Sequence, residues 1–538
     1  MVRFHGEAAP FAARACFRSF RRFSWTFCAK SIMLILVFSA QTVARRDLRL
    51  RRDDRGVSDR EAQTCRIFSP SRKGRRPIAK QRQTRGLPAR PATPAPQRPA
   101  LGEVSQFVRL EREVEDEYRP QMLEALQRKV NAVAESAEES APSCSQCGQR
   151  MDRHDTRPVT WRARFGQLRA AVTRYRCKTC RQERRPLLDL LGVEPGRLCG
   201  SLARLLALLA AVAPYPLAAR LAWLLLGVKI DPMGVWRAAQ RLGEAAERYS
   251  DGLSQYHGDS RSVGAPTDQA PASVVLSVDG CMLGMQVRQK RRRRVGAEKL
   301  PPLPAVKDGH FQEVKTGVLL LPQERVEISP GRHSLVRRFL VTCLGDADTI
   351  FSRLYARLRE LGWLGSDTVV VIVGDGAEWI WNRATEFVRR CEILDFWHAV
   401  EQAWKFAHLR YGQGSRQADR WVHQIAQDLR EGKVKQVIAR LQRLSPPTPE
   451  LRESLSALIR YYSANAARMR YDEYLRLGYG IGSGAVESAH KQVVHARLRQ
   501  AGMRWSEVGA RRLLALRLLL LNDTWPLLDQ LRMVPLAA

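Results

Sequence analysis

Four cysteines form two Cys-x-x-Cys pairs, Cys144/Cys147 and Cys177/Cys180, in a chain that holds 11 cysteines. Two residues between thiolates allow one tight turn to place both sulfurs on a tetrahedral ion, so two such turns complete a closed four-sulfur Zn²⁺ site. An odd total of cysteines argues against a framework of disulfides. The pattern predicts a structural zinc site, and the alternative is a reducible cysteine pair or two unrelated turns.

Two aspartates stand where hydrophobic segments with strand character are predicted to end. Asp279 follows residues 273–278, and Asp375 follows residues 368–373. Adjacent strands would bring the two carboxylates together, and their charges would repel unless a cation lay between them. Mg²⁺, or Mn²⁺ in its place, accepts such oxygen ligands and keeps water molecules for a substrate phosphate. The pair therefore predicts metal-assisted phosphoryl displacement.

A third carboxylate is needed to divide the ligation of two metal ions, and Glu487 is the candidate. It lies on a predicted helix that begins at the Gly-rich segment 482–485 and runs to about residue 500. Lys491 shares its face one turn later and is placed to hold a phosphate, while Arg497 and Arg499 extend a basic track suited to DNA. The alternative is that Glu487 and Lys491 form an ordinary solvated pair.

Asp395 and His398 form an Asp-x-x-His sequence where a predicted strand gives way to a helix. From that position, His398 could orient a water molecule or a phosphate near the metal ions. The alternative is that Asp395 only caps the helix. We treat both residues as auxiliary candidates for the site.

The elements around the cysteine pairs predict a zinc ribbon over residues 141–190. Residues 158–165 and 167–175 alternate as two strands about Gly166, the expected hairpin. Five arginines suit this ribbon to a DNA backbone: Arg162, Arg164, Arg169, Arg174 and Arg176. Residues 101–140, ahead of the ribbon, have the spacing of an amphipathic helix.

The segment after the ribbon, residues 191–250, predicts a helix-turn-helix DNA-binding domain. Two apolar helices are followed by a turn at residues 227–232 and a third helix. The third helix offers Arg237, Gln240 and Arg241 to the major groove. The alternative is three-helix packing without any DNA contact.

The rest of the chain predicts a split α/β domain. Residues 273–398 show three strands followed by βαβ units, and residues 478–525 supply further helices. Between them, residues 399–477 have helical spacing almost throughout. We therefore predict a multidomain α/β protein in which a ribonuclease-H-like mixed-sheet catalytic core is interrupted by an all-helical insertion and preceded by the zinc ribbon and helix-turn-helix.

Charge limits the class of partner. The 538 residues include 89 Lys and Arg against 54 Asp and Glu, a net charge of +35, and 45% are hydrophobic. This composition excludes a wholly disordered chain and favours a polyanionic partner, nucleic acid before membrane. Residues 1–100 hold 23 of the basic and six of the acidic residues, which predicts a disordered basic extension that function does not require.

A short apolar segment within that extension bears on whether the protein is exported or attached to a membrane. Residues 31–44 imitate a signal peptide but are short for a transmembrane span, and export would place the cysteines in an oxidising space. An upstream translation outside the functional protein is the preferred alternative. We therefore expect no membrane attachment and a cytoplasmic, nucleoid-associated protein.

Five motifs carry a resemblance to a known family. They are SVDG at 277–280, GDGAEW at 374–379, LDFWHA at 394–399, GSGAVES at 482–488 and QAGMRWS at 500–506. Together they resemble bacterial insertion-sequence transposases of the DDE type, closest to the Kra group, over residues 104–525. The resemblance implies that Asp279, Asp375 and Glu487 are the metal-binding triad. It also implies that water cleaves the element ends and that the freed 3′-hydroxyl attacks target DNA.

The function expected on this basis is that of a DDE transposase acting on double-stranded DNA at element ends and at a target site. Bringing two ends together requires at least a homodimer. The alternative is a DNA-binding regulator or a catalytically inactive relic, in which the zinc and helical modules still bind DNA but the carboxylates no longer bind metal.

Overall fold

The computed structural model describes residues 105–137, 141–194, 197–259, 270–286, 310–329 and 332–531. The predicted basic extension at 1–100, with its signal-like segment, lies outside these residues. Within the described residues, no helix is both long and apolar enough to span a membrane.

The first element is the predicted amphipathic helix, α1 (Gln106–Ser136). Its second half packs on the ribbon (residues 141–190) through Leu123, Leu126 and Val130, which contact Trp161 and Leu168. Its first half keeps an exposed apolar stripe, made of Phe107, Leu110, Val114, Tyr118 and Met122. One helix therefore supports the ribbon and also presents an apolar face.

The ribbon is built on a long hairpin, as predicted. Strands β1 (Asp152–Arg162) and β2 (Gln167–Arg176) pair antiparallel around the expected turn. The shorter elements are β3 (Glu183–Arg184), α2 (Pro186–Leu190), β4 (Val193–Glu194) and β5 (Leu198–Cys199), and the sheet order is β3-β2-β1-β5-β4. Trp161 and Leu168 face each other across the hairpin and bury its inner face.

Three helices follow: α3 (Gly200–Val212), α4 (Tyr215–Leu226) and α5 (Pro232–Asp259). Leu202, Leu206 and Ala210 of α3 pack against Val235 and Leu242 of α5 in one apolar cluster. Gly227 ends α4 with a φ of 64°, a left-handed conformation that glycine adopts without strain. The predicted three-helix outline with its turn is thus present.

A second, mixed sheet forms the centre of the chain. Its strands are β6 (Ser273–Gly284), β7 (Phe311–Leu320), β10 (Phe339–Leu344), β11 (Val369–Gly374) and β12 (Arg390–Leu394), in the order β10-β7-β6-β11-β12. Strands β10, β7 and β6 pair antiparallel, whereas β6, β11 and β12 pair parallel. Strands β8 (Arg325–Ser329) and β9 (Arg332–Leu335) form a separate hairpin. The protein is therefore a mixed α/β protein with a mixed sheet, as predicted.

The first helices after the strands pack on the sheet, and the following ones form a helical segment beside it. Helix α6 (Ala347–Glu360) is capped by Asp346, whose carboxylate accepts a hydrogen bond from the Thr349 amide at 2.8 Å. The helices from residue 378 to residue 476 are α7 (Glu378–Ala384), α8 (Phe396–Tyr411), α9 (Arg416–Arg430), α10 (Val434–Gln442), α11 (Pro449–Asn465), a 3₁₀ turn (Ala466–Arg468) and α12 (Tyr471–Arg476). Val422 and Leu429 belong to the same apolar cluster as the sheet, so this helical segment has no separate core.

The C-terminal helices contain an irregular turn that the sequence did not indicate. Helix α13 (Gly484–His490) continues into a π-helical turn (Lys491–His495), then α14 (Ala496–Leu498), α15 (Glu507–Leu521) and a 3₁₀ turn (Trp525–Asp529). A π turn leaves backbone carbonyls without their usual partners. The guanidinium of the fully buried Arg517 fills this need by donating to the carbonyls of Gln492 and Val493, and also to that of Ala211. Burial lowers the pKa of Arg517 to about 9.

The prediction that Arg497 contacts DNA is wrong, because its side chain is only 1% exposed. Its Nε donates to the Ala210 carbonyl at 2.8 Å, and its guanidinium lies 5.1 Å from the Tyr215 ring and 5.2 Å from the Trp505 ring. Burial lowers the pKa of Arg497 to about 10. Arg497 instead ties α14 to the end of α3.

The prediction that Gln240 reads DNA bases is also wrong, since the residue is 3% exposed. The middle of α5 packs on α15, where a Cβ added at Gly243 would lie 2.6 Å from the Arg512 carbonyl oxygen. Arg241 is half-buried on the same stretch, while Arg237, one turn earlier, is exposed. The first turns of α5 are therefore exposed, whereas its middle is covered by α15.

Candidate functional site

The four ribbon cysteines converge as predicted. All four sulfurs lie within 4.8 Å of one another, with Sγ–Sγ distances of 3.2 Å for Cys144–Cys180, 3.5 Å for Cys147–Cys177 and 3.7 Å for Cys147–Cys180. Four sulfurs at about 2.3 Å from a tetrahedral zinc ion lie about 3.8 Å apart, so this cluster fits zinc. A hydrogen bond from the Cys180 backbone lowers the pKa of Cys177 to about 6, whereas the side-chain hydrogen bond with Cys144 raises the pKa of Cys180.

The two predicted catalytic aspartates lie next to the paired part of adjacent strands, Asp279 within β6 and Asp375 directly after β11. Val373 of β11 pairs with Ser277 of β6 in parallel register. Asp375 and Asp279 each come two residues after this last pair of the ladder, so both follow the end of the same β6–β11 pairing. We predicted Asp279 at the end of a strand, but β6 continues past it to Gly284 along β7. Asp279 lies just past the part of β6 that pairs with β11.

Each aspartate is held by contacts to the chain around it. The Asp279 carboxylate accepts a hydrogen bond from the Gly280 amide at 2.7 Å and lies 3.4 Å from Nδ1 of the buried His490. The Asp375 carboxylate accepts a hydrogen bond from the Ala377 amide at 3.0 Å. Both aspartates remain partly exposed, so each can still take up a ligand or a cation.

The third predicted carboxylate, Glu487, is exposed on α13, three residues before His490. Residues three apart share a helix face, so the contact of His490 with Asp279 brings the face that carries Glu487 towards the aspartates. The three carboxylates do not all lie within 4.8 Å of one another. In the described part of the chain, only the ribbon cysteines form such a group of three or more metal-binding side chains.

Asp395 follows β12 and is 1% exposed. Its Oδ1 accepts hydrogen bonds from the amides of Trp397 (2.6 Å) and His398 (3.0 Å), which caps α8, and its Oδ2 accepts one from the Ser483 amide at 2.5 Å. Burial alone would raise the pKa of Asp395, but the hydrogen bonds from His398 and Ser483 outweigh it and the pKa is lowered. Asp395 therefore caps a helix and also fixes the segment that leads into α13.

His398 lies beside this carboxylate, with Nδ1 at 3.7 Å from Oδ2 of Asp395. The Asp395 carboxylate, followed by the more distant Asp375 and Asp279, raises the pKa of His398 to about 9. The raised pKa keeps the imidazole of His398 protonated at neutral pH.

The remaining predicted residues are surface cations. Lys491 is exposed at the start of the π turn, and Arg499 is exposed with its Nη1 3.1 Å from Nε2 of His495. Arg174 of the ribbon is instead engaged by the carboxylates of Asp155 and Glu183. Lys491 and Arg499 thus remain available to a polyanion, whereas the charge of Arg174 is already compensated.

Two residues of this region were missed from the sequence. His490 carries the contact between α13 and Asp279, and its position three residues after Glu487 was the available signal. Tyr461 of α11 donates from its hydroxyl to the backbone carbonyl of Asp375 at 2.9 Å. Burial, and then the negative charge of Asp375, raise the pKa of Tyr461. No sequence signal links Tyr461 to Asp375, because 86 positions separate them.

Comparison with known proteins adds little to this geometry. No protein-family model and no curated protein matches the chain. Solved structures that match include the Drosophila P element transposase strand transfer complex, at 10% identity over 64% of this chain and 83% of that chain, with a TM-score of 0.22. A TM-score this low does not show a common fold, so function must be inferred from the side chains themselves.

Proposed function

We propose that the protein is a DDE transposase of a bacterial insertion sequence, with a ribonuclease-H-like core, that cuts and joins double-stranded DNA. The observation that supports this proposal is the parallel register of β6 and β11, whose last pair, Ser277 and Val373, comes two residues before Asp279 and Asp375. Two neighbouring carboxylates repel each other, and a divalent cation bound between them would offset this repulsion. The motif resemblance of the sequence supports the same function.

Each residue of the site has a role in this proposal. Asp279 and Asp375 would hold Mg²⁺ or Mn²⁺, and Glu487 would supply the third carboxylate. When bound, the metal lowers the pKa of a coordinated water and offsets the charge of the scissile phosphate. The protonated His398 attracts a phosphate oxygen, and Lys491 holds a flanking phosphate.

One observation favours the alternative of a DNA-binding regulator or an inactive relic. The three carboxylates do not lie within 4.8 Å of one another among the described residues, whereas the ribbon cysteines do. A protein with an intact zinc ribbon and a catalytic site that has decayed would have this appearance. The two functions predict the same DNA binding but differ in strand cleavage.

An assay of DNA strand cleavage distinguishes the transposase from the regulator or relic. The full-length protein is incubated with end-labelled duplexes taken from the DNA that flanks its own gene, with Mg²⁺ or with EDTA. The variant is Asp375→Asn, and the matched control is Glu378→Gln, an exposed carboxylate three residues further along the chain. We expect Mg²⁺-dependent cuts at fixed positions for the wild type and the control and none for Asp375→Asn, with DNA binding retained by all three.

The opposite result is equally clear. DNA binding without cuts, by protein that is folded and loaded with zinc, would establish the regulator or relic.

We further propose that the protein acts in the cytoplasm at the nucleoid and assembles at least as a dimer on paired element ends. Sedimentation of the protein with one and two DNA ends tests the assembly.

A further inference from the structure

Trp397, the second residue of α8, is an aromatic side chain that the proposed reaction does not use. It is 65% exposed, the highest value for any tryptophan in the described part of the chain. The residue before it, Phe396, is buried, and the residue after it, His398, lies beside Asp395. An indole ring that remains in water offers a large apolar surface that a planar ligand can cover.

The backbone that carries this ring is fixed to the central sheet. The Trp397 amide donates to the Asp395 carboxylate at 2.6 Å. The Asp395 amide donates at 2.7 Å to the carbonyl of Gly374, the residue before Asp375. Two hydrogen bonds therefore connect Trp397 to the end of β11, and a side chain on such a short connection can position a ligand accurately.

Two contacts hold the Trp397 ring and still leave most of it in solvent. The Phe396 ring lies 5.2 Å away at an angle of 77°, which is an edge-to-face arrangement. A Cβ added at Gly482 would lie 3.3 Å from Cδ1 and 3.5 Å from Nε1 of Trp397. Because Gly482 has no side chain, the segment that leads into α13 passes next to the ring without covering it.

A positive charge lies on the next residue of the chain. The His398 side chain is 30% exposed, and Asp395 keeps its imidazole protonated at neutral pH. Residues 397 and 398 thus offer an aromatic surface and a cation within one helical turn. A nucleotide has the two matching groups, which are a planar base and a phosphate.

The base that Trp397 can contact must be an unstacked one. Inside a duplex, the neighbouring bases cover both faces of each base, so no side-chain ring can stack on it there. A base in a single strand, or one turned out of a duplex, has a free face, and stacking on an aromatic side chain then replaces the lost stacking.

We propose that Trp397 binds one unstacked nucleobase of the DNA by stacking, and that His398 binds a phosphate of the same strand. The proposal rests on the proposed function, because it names the part of the DNA that occupies this side of the site. Trp397 takes no part in bond breaking in this proposal. It binds a base and thereby positions the strand.

The test compares the affinities of the full-length protein for two duplexes that differ in one base. Each duplex carries one extra nucleotide in one strand, which has an adenine in the first duplex and is abasic in the second. Fluorescence anisotropy gives two dissociation constants, and their ratio reports the base because both duplexes have the same phosphates. We expect the wild type to bind the adenine duplex about 10-fold more tightly.

Two variants separate stacking from apolar bulk. Trp397→Leu keeps an apolar side chain next to Gly482 but has no ring, so we expect its ratio to fall to about 1. Trp397→Phe keeps a ring, and its ratio should stay above about 3. The matched control is Trp223→Ala, which removes a half-exposed indole from α4. A change in general DNA binding cancels in the ratio, so the control should keep the ratio of the wild type.

The outcomes distinguish this proposal from the proposed function. A wild-type ratio of about 1, with both duplexes still bound, would overturn the base site and leave the proposed function intact. A ratio in Trp397→Leu as large as in the wild type would also overturn the base site, because the preference would then arise elsewhere. Failure of the wild type to bind either duplex would overturn the proposed function as well.

Discussion

Replacing Asp395 by Asn should weaken the protein far more than loss of a helix cap would. The Asp395 carboxylate accepts from two amides at the start of α8 through Oδ1 and from the Ser483 amide through Oδ2. An Asn side chain offers only one oxygen, so its amide group must face a buried N–H donor on the other side. Either the cap of α8 or the link to Ser483 is lost.

The size of the effect can be worked out from these contacts. Losing a buried hydrogen bond to a charged acceptor costs about 1.5–3 kcal/mol, and the unpaired donor that remains adds to this. We therefore expect Asp395→Asn to lower the free energy of unfolding by about 3 kcal/mol. The control is Asp346→Asn, because Asp346 caps α6 at an exposed position and has no second segment to hold. Asn caps helices as well as Asp does, so the control should change stability by less than about 0.5 kcal/mol.

Urea unfolding followed by tryptophan fluorescence measures both variants, and limited proteolysis of the Gly-rich segment at residues 482–484 reports the link itself. We expect the cut to be faster in Asp395→Asn than in the wild type or in Asp346→Asn. If the two variants unfold at the same urea concentration and are cut at the same rate, Asp395 is a cap only and the reasoning about Ser483 is refuted.

Three further predictions concern the pH response, the zinc site and helix packing. The pKa of His398 is raised from 6.5 to about 9, so the stabilisation by its protonated form is complete below pH 6.5 and is lost as the pH rises through 9. In EDTA the free energy of unfolding of the wild type should therefore fall by about 1.5 kcal/mol over this range, after allowance for solvent screening. The free energy of unfolding of His398→Gln should not change in this way. Cys177→Ser should bring bound zinc, measured by mass spectrometry, from one ion per chain to almost none, and circular dichroism should show loss of strand signal. Gly243→Ala should destabilise by about 1–3 kcal/mol in thermal unfolding because its Cβ would meet the Arg512 carbonyl at 2.6 Å, whereas Gly252→Ala on the same helix has open space and should stabilise slightly.

The sequence predicted elements well wherever a local pattern decides the outcome. Residues 369–373 are a continuous apolar run, and β11 occupies Val369–Gly374 because a strand covered on both faces needs such a run. The spacing of the cysteine pairs likewise determines the turns of the ribbon. In both cases the information lies within a few neighbouring residues, so no knowledge of distant segments is required.

The errors arose where distant segments decide the outcome. Gln240 looked like a solvent-facing polar residue of α5, but α15, more than 250 positions later, covers that face. Arg497 looked like part of a basic track, but the π turn before it inserts an extra residue and rotates α14 by about 100°. The partners of Arg497 are a carbonyl of α3 and two aromatic rings, none of which is visible in the local sequence.

The helical segment between Asp395 and Ser483 separates β12 from α13, yet it need not loosen the helix that carries Glu487. Its two ends meet at one carboxylate, since Asp395 bonds the Ser483 amide across 88 positions. Tyr461 from the middle of the segment holds the backbone of Asp375, and the segment shares its apolar core with the sheet. A floppy loop of this length would leave Glu487 poorly placed, because each free segment adds conformational entropy that binding must overcome. A folded segment closed at its base removes that freedom, so the segment that leads into α13, the helix of Glu487, is fixed to the end of β12.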